Sequence, residues 1–239
     1  MPLIVSEHRA MAIDCLQCDV ESQDVSMHHS MHLLSRLESP DFPSIVLPAG
    51  GRYLDDFTPI NIELTKHALP FPKFLLEFSV PEHERHCGDG FLLAAWIVGV
   101  EALYDGSGFS MWCIHKVAIE DPDYVWIPFP ADLRVKDGAQ VIFDEEGIVV
   151  NGPLELRAFG GGELSAADVY VARYYAWLRL LAHLHMILGH PSVVCESVTT
   201  HPAAKRASSM GIPIDYYKLR CNGPTPFNWL RGSGMITLN

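Results

Sequence analysis

Residues 165–188 have the sequence SAADVYVARYYAWLRLLAHLHMIL, which is the strongest helical signal in the chain. Ser165 and Asp168 form an approximate capping box, in which a hydroxyl and a later acidic side chain satisfy the first free amides of a helix. Apolar residues occupy nearly all faces of this segment, and Gly189 is a natural C-terminal cap. Because a helix that is apolar all round must be covered on several sides, we expect this one to be central.

Alternating apolar segments ahead of this helix predict β-strands. Residues 73–80 (KFLLEFSV) alternate as a half-buried strand does, and residues 91–104 form an apolar strand that we expect to bend at Gly99. Residues 109–117 return from it as the second strand of a hairpin. Further strands are predicted at residues 124–129, 140–143 and 147–150.

The N-terminal part of the chain predicts helices instead. Residues 27–37 (MHHSMHLLSRL) bring Met27, Met31 and Leu34 onto one helical stripe. A Thr-Pro pair opens residues 58–69, where Thr caps a short helix and Pro at its first position has no amide that needs a partner. Helices are therefore expected before the strands begin.

These elements predict a single α+β domain over residues 1–239. Its sheet is expected to be twisted, mostly antiparallel and packed on the long central apolar helix, with the other helices at the N-terminus. Residues 1–68 form the helical part, and residues 69–157 form the strand-rich part. Residues 165–221 form the long helix, a basic turn and a final strand.

The composition favours an acidic protein with a sizeable core. Hydrophobic residues make up 49% of the 239 residues, which is enough to bury a core, and 17 Lys and Arg stand against 29 Asp and Glu. Such a surface repels nucleic acid, because affinity there depends on neutralising phosphates. The N-terminus has no signal-peptide pattern, and the most apolar segments are short or carry charges, so we expect a cytoplasmic protein with no membrane partner.

Two clusters of potential ligands can be weighed as metal sites. Cys15 and Cys18 form a CxxC pair, but no second pair completes the four ligands of a structural zinc site. His83, His86 and Cys87 lie in a polar segment whose Pro and Gly residues favour a loop. Three further histidines could join the first pair but match no finger spacing: His28, His29 and His32.

The remaining motifs do not predict catalysis. His183 and His185 lie on the long helix, where residues two apart point to different sides, so we interpret them as histidines at the edge of the core. The chain has no GxSxG elbow and no phosphate-binding loop. We therefore predict no catalytic residue, no cofactor and no metal, with a metal-dependent hydrolase at either ligand cluster as an alternative.

A short basic region follows the long helix in this otherwise acidic chain. Lys205 and Arg206 precede a Tyr-rich strand that carries Lys218 and Arg220. Such a reversal of charge can bind a carboxylate-rich peptide or a phosphate, or it can be a solvated face. Aromatic residues nearby can anchor a protein interface. The predicted contact residues are Lys205, Arg206, Tyr216, Tyr217, Lys218, Arg220 and Trp229.

The order of these elements resembles a group of phage and mobile-element proteins that includes a type V anti-CRISPR. Four places carry the match. Leu69-Pro70 precedes an aromatic strand, and Gly90-Phe91 opens a second strand. Residues 180–196 (LLAHLHMILGHPSVVCE) end a long helix near a proline and an acidic residue, and residues 204–206 are followed by residues 211–213 and 216–219. The last match corresponds to a basic pair, glycine, proline and aromatic strand in that group.

The resemblance implies a function that is not catalysis. That anti-CRISPR lowers production of an RNA-guided nuclease by recognising the N-terminal polypeptide of the nuclease as it is made. A similar activity here implies an inhibitor of bacterial CRISPR immunity that binds a host protein, such as the nuclease or its nascent chain, in the bacterial cytoplasm. A phage accessory or structural protein is the other alternative, and the sequence leaves the oligomeric state open.

Overall fold

The computed structural model describes residues 6–22, 27–47, 60–64, 69–80, 92–118, 124–129, 131–144, 147–152, 154–158, 167–189, 193–197 and 216–221. At some positions within these ranges, among them residues 167–176, 216, 218 and 220, only the backbone is described.

The described residues form three helices and twelve strands. The helices are α1 (Glu7–Ser22), α2 (Met27–Leu37) and α3 (Ala167–Leu188). The strands are β1 (Ser44–Val46), β2 (Ile60–Leu64), β3 (Lys73–Ser79), β4 (Leu92–Ala102), β5 (Gly108–Ala118), β6 (Tyr124–Pro128), β7 (Ala131–Lys136), β8 (Ala139–Asp144), β9 (Gly147–Asn151), β10 (Leu154–Ala158), β11 (Val193–Ser197) and β12 (Tyr216–Cys221).

Nine of these strands form one large sheet. Its order is β10-β7-β5-β4-β3-β1-β12-β11, and β6 pairs with the part of β5 that β7 leaves free. Neighbouring strands are antiparallel except that β1 runs parallel to both β3 and β12. The prediction of α+β content with a mostly antiparallel sheet is therefore confirmed.

A smaller sheet of three strands, β2-β8-β9, lies beside the large one. The chain leaves the large sheet at the turn after β7, where Gly138 has a φ of 86°, and returns to it at β10. Both pairs of the small sheet are antiparallel. The predicted hairpin at residues 140–150 is confirmed as β8 and β9.

Two buried clusters cover the two faces of the large sheet. One face, called the α3 face, packs on α3 and the small sheet, and its core includes Phe74, Leu76, Val98, Met111, Leu178 and Leu181. The opposite face, called the helix-pair face, packs on α1 and α2, and its core includes Leu16, Leu37, Leu75, Ile97, Trp112 and Trp126. The described side chains of α3 begin at Trp177, so the prediction that the whole helix is central stays a prediction.

The burial of β3 corrects the prediction of a half-buried strand. Residues from Phe74 to Phe78 are all buried, because α1 and α2 cover the face that the alternation assigned to solvent. Glu77 is among them, although its charge made it the clearest candidate for an exposed position. Alternation of apolar and polar residues shows which residues share a face of a strand, and packing against other elements decides whether that face is exposed to solvent.

The region before β3 contains the clearest error in the sequence prediction. Residues 60–64 form strand β2 and pair antiparallel with β8, where a helix over residues 58–69 was expected. Ile60, Ile62 and Leu64 alternate with polar residues, which suits a strand, and the pairing partner lies far along the chain. Tertiary pairing therefore outweighs the local Thr-Pro helix signal.

Two smaller predictions can be compared with single positions of the structure. Among the side chains of α2 that the structure describes, Ser30, Leu33 and Leu37 are buried and Leu34 is partly buried, whereas Met31 is 49% exposed and so departs from the predicted stripe of Met27, Met31 and Leu34. The register of β4 against β5 shifts between Leu93 and Ala95 and stays regular at Gly99. A Cβ added to Gly99 would lie 2.0 Å from Cε2 of Trp112, so the glycine makes room for the indole, and the predicted bend there stays a prediction.

Strands β1, β7, β10 and β11 were not anticipated from the sequence. Each is three to six residues long, and each is stabilised by a partner that lies elsewhere in the chain or across a turn. Within the described ranges, no helix combines the length and hydropathy that crossing a membrane requires.

Candidate functional site

Four of the seven predicted contact residues lie on β12, between β1 and β11. Tyr216, Lys218 and Arg220 occupy alternate positions of this strand. In the pairing register, Lys218 lies opposite Glu196 of β11, and Arg220 lies opposite Val194. The other three predicted residues, Lys205, Arg206 and Trp229, lie outside the described residues.

The intervening positions of β12 anchor the strand to the core. The ring of Tyr217 lies 5.1 Å from the ring of Phe71 at an angle of 42°, and Leu219 is buried in the α3-face core with Val193 of β11. Tyr217 is half-buried and contributes to packing in this arrangement. Its role as a contact residue remains a prediction.

The two ends of the large sheet present different edges. At β10, Glu155 and Arg157 are exposed and form an ion pair with 2.7 Å between Oε1 and Nε. Charged side chains on an edge strand oppose pairing with another chain. At β11, by contrast, Val194 is apolar and 39% exposed, and within the described residues this strand pairs with β12 alone.

The third edge, at β6, packs on α1 through Trp126, while Val125 and Ile127 on its other side are exposed. The carbonyl oxygen of Trp126 accepts a weak hydrogen bond from Sγ of Cys15 at 3.8 Å, and the Trp126 side chain is buried in the helix-pair face. Val125 and Ile127 of β6 and Val149 of the edge strand β9 are also exposed apolar residues. The β11 edge differs from these in its neighbour, because β11 pairs with β12, the strand that carries Lys218 and Arg220.

A second site, which the sequence did not predict, lies under the start of α1. We call it the α1 polar cluster, and it consists of Ser6, Arg9, Ser44 and Glu77. The hydroxyl of Ser6 donates to Oε2 of Glu77, and the backbone amide of Arg9 donates to Oγ of Ser6 at 3.2 Å. All four side chains are buried, and those of Arg9, Ser44 and Glu77 are fully buried.

Arg9 joins α1 to the end of α2. Its Nε donates to the carbonyl of Leu37 at 2.6 Å, one Nη donates to the carbonyl of Phe42 at 2.7 Å, and the other donates to the carbonyl of Ser39 at 2.8 Å. These carbonyls follow the last turn of α2, where a positive charge also interacts favourably with the helix dipole. A buried arginine is tolerated here because its donors meet acceptors.

Burial raises the pKa of the Glu77 carboxyl above its usual range. Hydrogen bonds from Ser44 and Ser6 and the positive charge of Arg9 act in the opposite direction but are outweighed. Oε1 of Glu77 is buried and has no hydrogen-bond partner among the described residues. The proton is therefore held more tightly here than on an exposed glutamate.

His8 lies beside this cluster and is half-buried between α1 and the sheet. Its Nε2 is 3.0 Å from Oγ of Ser79, and its ring lies edge-on to Trp126 with 5.9 Å between centroids. Burial, and then the positive charge of Lys116, lowers the pKa of His8. The first turn of α1 therefore contacts β3 through two titratable positions, one acidic and one basic.

The described parts of the candidate metal sites do not gather ligands. No group of three or more His, Cys, Asp or Glu side chains that could hold a metal occurs among the residues that the structure describes. Cys18 is exposed on α1, whereas Cys15 is half-buried, and burial raises the pKa of the Cys15 thiol. The cluster of His83, His86 and Cys87 lies outside the described residues.

The histidines of α3 are buried, as predicted. His183 and His185 both belong to the protein interior, and burial lowers the pKa of His185. A histidine with a lowered pKa is neutral at physiological pH, which suits a packing role.

Sequence reasoning had two weak signals for the α1 polar cluster. Glu77 is the one charged residue in the interior of an apolar strand, and Arg9 lies at the start of a helix, where a positive charge opposes the dipole. Both are exceptions to a local rule, and each is explained by a distant partner.

No protein-family model matches the chain, and neither the curated proteins nor the solved structures gave a match.

Proposed function

We propose that this chain is a non-enzymatic protein-binding module that inhibits bacterial CRISPR immunity as phage inhibitors do. Its partner is a host protein in the bacterial cytoplasm, such as a CRISPR nuclease or its nascent chain. The observation that carries the proposal is the β11 edge: among the described residues β11 pairs with β12 alone, Val194 is exposed, and β12 carries Lys218 and Arg220.

An open edge suits a partner that is extended. A strand edge binds an extended peptide by adding it to the sheet, with backbone hydrogen bonds supplying affinity and side chains supplying specificity. A polypeptide that is still being made has not yet buried its own backbone groups, so it can present such a strand. The acidic chain as a whole, with a net charge of -12, keeps nucleic acid away from the site.

The long helix is proposed to be the support of this edge. Val193 of β11 and Leu219 of β12 belong to the same buried core as the described side chains of α3. We propose that α3 is central along its whole length and holds β11 and β12 in a fixed orientation. A rigid edge loses less conformational entropy when a partner strand is added.

Co-purification from cells that carry a type V CRISPR system tests the proposal. Association with the nuclease or its nascent chain, together with loss of interference in those cells, is the expected result. The variant Val194→Lys should weaken both, because a charge on the edge opposes strand addition. The matched control is Val149→Lys, since Val149 is an exposed apolar residue of β9 in the small sheet.

A second variant tests the basic residues. Lys205→Glu combined with Arg206→Glu should leave folding unchanged and weaken partner binding, because the charges lie in a predicted surface turn. If the protein fails to fold, the pair is structural and not a contact surface. If neither nuclease association nor loss of interference is seen with the unmodified chain, the proposed function is wrong.

A further inference from the structure

The carboxyl of Glu77 lies where ionisation is costly. Its neighbours in the sheet are Val46 on β1 and Ile97 on β4, and both are apolar. The side chain is fully buried, Oε2 accepts from the hydroxyl of Ser6, and Oε1 has no partner among the described residues. A buried carboxylate with an unmet oxygen costs several kcal/mol, whereas the neutral acid costs much less.

The positive charge of Arg9, which faces Glu77, is compensated by groups other than Glu77. Arg9 approaches from α1, and three backbone carbonyls after α2 and Oγ of Ser44, at 3.5 Å, accept its N–H groups. The negative end of the α2 dipole compensates part of its charge. Arg9 therefore remains buried and charged whether or not Glu77 has lost its proton. Among the residues that the structure describes, Arg9 is the ionisable group that contributes to the pKa of Glu77, which burial raises.

We propose that the first turn of α1 is a pH-sensitive switch: it docks on β3 most firmly while Glu77 is protonated, and it opens more readily once that proton is lost. The physical link is the Ser6–Glu77 contact, which ties the start of α1 to the sheet. When α1 is open, water reaches the carboxyl of Glu77, and its ionisation costs much less free energy.

The direction of the pH effect follows from which state holds the proton. The docked state binds the proton more tightly than the open state, so docking is strongest below the usual pKa of an exposed glutamate. As pH rises from that value toward the raised pKa of Glu77, the open state ionises first and the docking equilibrium weakens by up to about tenfold per pH unit. Above the raised pKa there is no further change.

Three cysteines at different depths report this opening. Cys18 is exposed on α1, Cys15 is half-buried at the contact between α1 and β6, and Cys113 is buried in the core of the opposite face. Thiol labelling followed by peptide mass spectrometry gives each rate separately in the full chain. The ratio of the Cys15 rate to the Cys18 rate measures opening of α1. Because burial raises the pKa of the Cys15 thiol, the remaining pH dependence of thiol reactivity is removed by dividing this ratio by the same ratio in a Glu77 variant.

The test compares the full chain with E77Q from pH 5 to pH 9. Glutamine imitates the neutral acid, so E77Q should lack the Glu77 contribution, while the titration of His8 is common to both proteins and cancels. The Cys15/Cys18 ratio of the full chain, divided by that of E77Q, should rise with pH by tenfold or more and then level off. Cys113 should stay protected throughout.

Two results would overturn the proposal. A divided ratio that stays constant with pH would mean that Glu77 does not control opening, and Cys113 labelling that rises together with Cys15 would mean global unfolding. S6A provides a second reading if E77Q does not fold. It should raise the Cys15/Cys18 ratio several-fold at pH 5, where the contact is strongest, and an unchanged ratio at that pH would also overturn the proposal.

Discussion

The two faces of the large sheet are sealed in different ways. The α3 face is closed by aliphatic and aromatic packing, such as the contacts among Trp96, Phe129 and Trp177, whose ring centroids lie 5.3 to 5.7 Å apart. The helix-pair face also has an apolar core, but the start of α1 rests on the α1 polar cluster. Apolar packing does not respond to protons, whereas a buried carboxyl does. Burial lowers the pKa of His185 on the α3 face, so protons destabilise that face as pH falls, whereas ionisation of Glu77 weakens the helix-pair face as pH rises.

Strand β3 carries both kinds of contact within a few residues. Phe74 belongs to the α3 face and Glu77 to the helix-pair face, and both are fully buried. Substitutions on this one strand can therefore test the apolar contacts of one face and the polar contacts of the other separately.

The largest effect is expected at the α3 face. Phe74→Ala should lower the free energy of unfolding by about 3–5 kcal/mol, because it removes a buried ring and leaves a cavity. Chemical denaturation at pH 5 and pH 8 should give the same loss relative to the full chain. Phe74→Leu is the conservative control and should cost less, and a loss that differs between the two pH values would contradict the comparison of the faces.

The next effect is expected at Arg9. Arg9→Met keeps an apolar stem but leaves the carbonyls of Leu37, Ser39 and Phe42 without their donor, which should cost about 2–3 kcal/mol. Glu77 also loses the nearby positive charge, so its pKa should rise further and the loss should be larger at pH 8 than at pH 5. Denaturation curves at the two pH values measure this. The control is Arg157→Met on the exposed edge of β10, which should leave stability nearly unchanged.

Replacing His8 is expected to have a smaller effect on the free energy of unfolding, and at low pH it should stabilise the protein. The pKa of His8 is lowered in the folded state, so the unfolded state binds the extra proton and stability falls as pH drops below the usual histidine value. His8→Gln should remove this loss, which is less than about 1 kcal/mol because the side chain is partly exposed. Chemical denaturation at pH 5 and pH 7 measures this: the variant should lose less stability than the full chain over that interval, while the buried His185, whose pKa is also lowered, contributes equally in both proteins. An equal loss of stability in the two proteins would contradict the assignment to His8.

The smallest effect is expected from metal removal. We predict that protein purified without a chelator contains less than one equivalent of metal and that adding a chelator leaves the melting temperature unchanged. Elemental analysis and a thermal scan check this. A stoichiometric metal would instead favour a metal-dependent hydrolase at one of the ligand clusters, and a drop in melting temperature with chelator would add a structural role.

Local patterns predicted the parts of the fold that local contacts stabilise. The β4–β5 hairpin and the β8–β9 hairpin each join neighbouring segments across a turn, and α2 has the bounds that its pattern indicated. Strand β2 was missed because its partner β8 lies about 80 residues later in the chain, where a local Thr-Pro signal carries no information about it.

The candidate binding site could be predicted in part. The pattern of residues 216–220 indicated a strand with alternate basic residues, and the structure has β12 there. That β12 lies parallel to the three-residue strand β1, with β11 outside it as an edge, could not be read from the sequence. Pairing of short strands depends on which distant segments the core brings together.

The amino-acid sequence alone accounts for the α+β class, the acidic charge, the two hairpins and the extent of α2, since propensity and alternation act over a few neighbouring residues. Tertiary packing alone accounts for the burial of both faces of β3, the joining of β1 to β3 and β12, and the inclusion of Arg9 and Glu77 in the interior. The physical reason is that a charged side chain is stable inside a protein only when its partners surround it. Those partners, at Ser6, Ser44 and the carbonyls after α2, meet only in the folded chain.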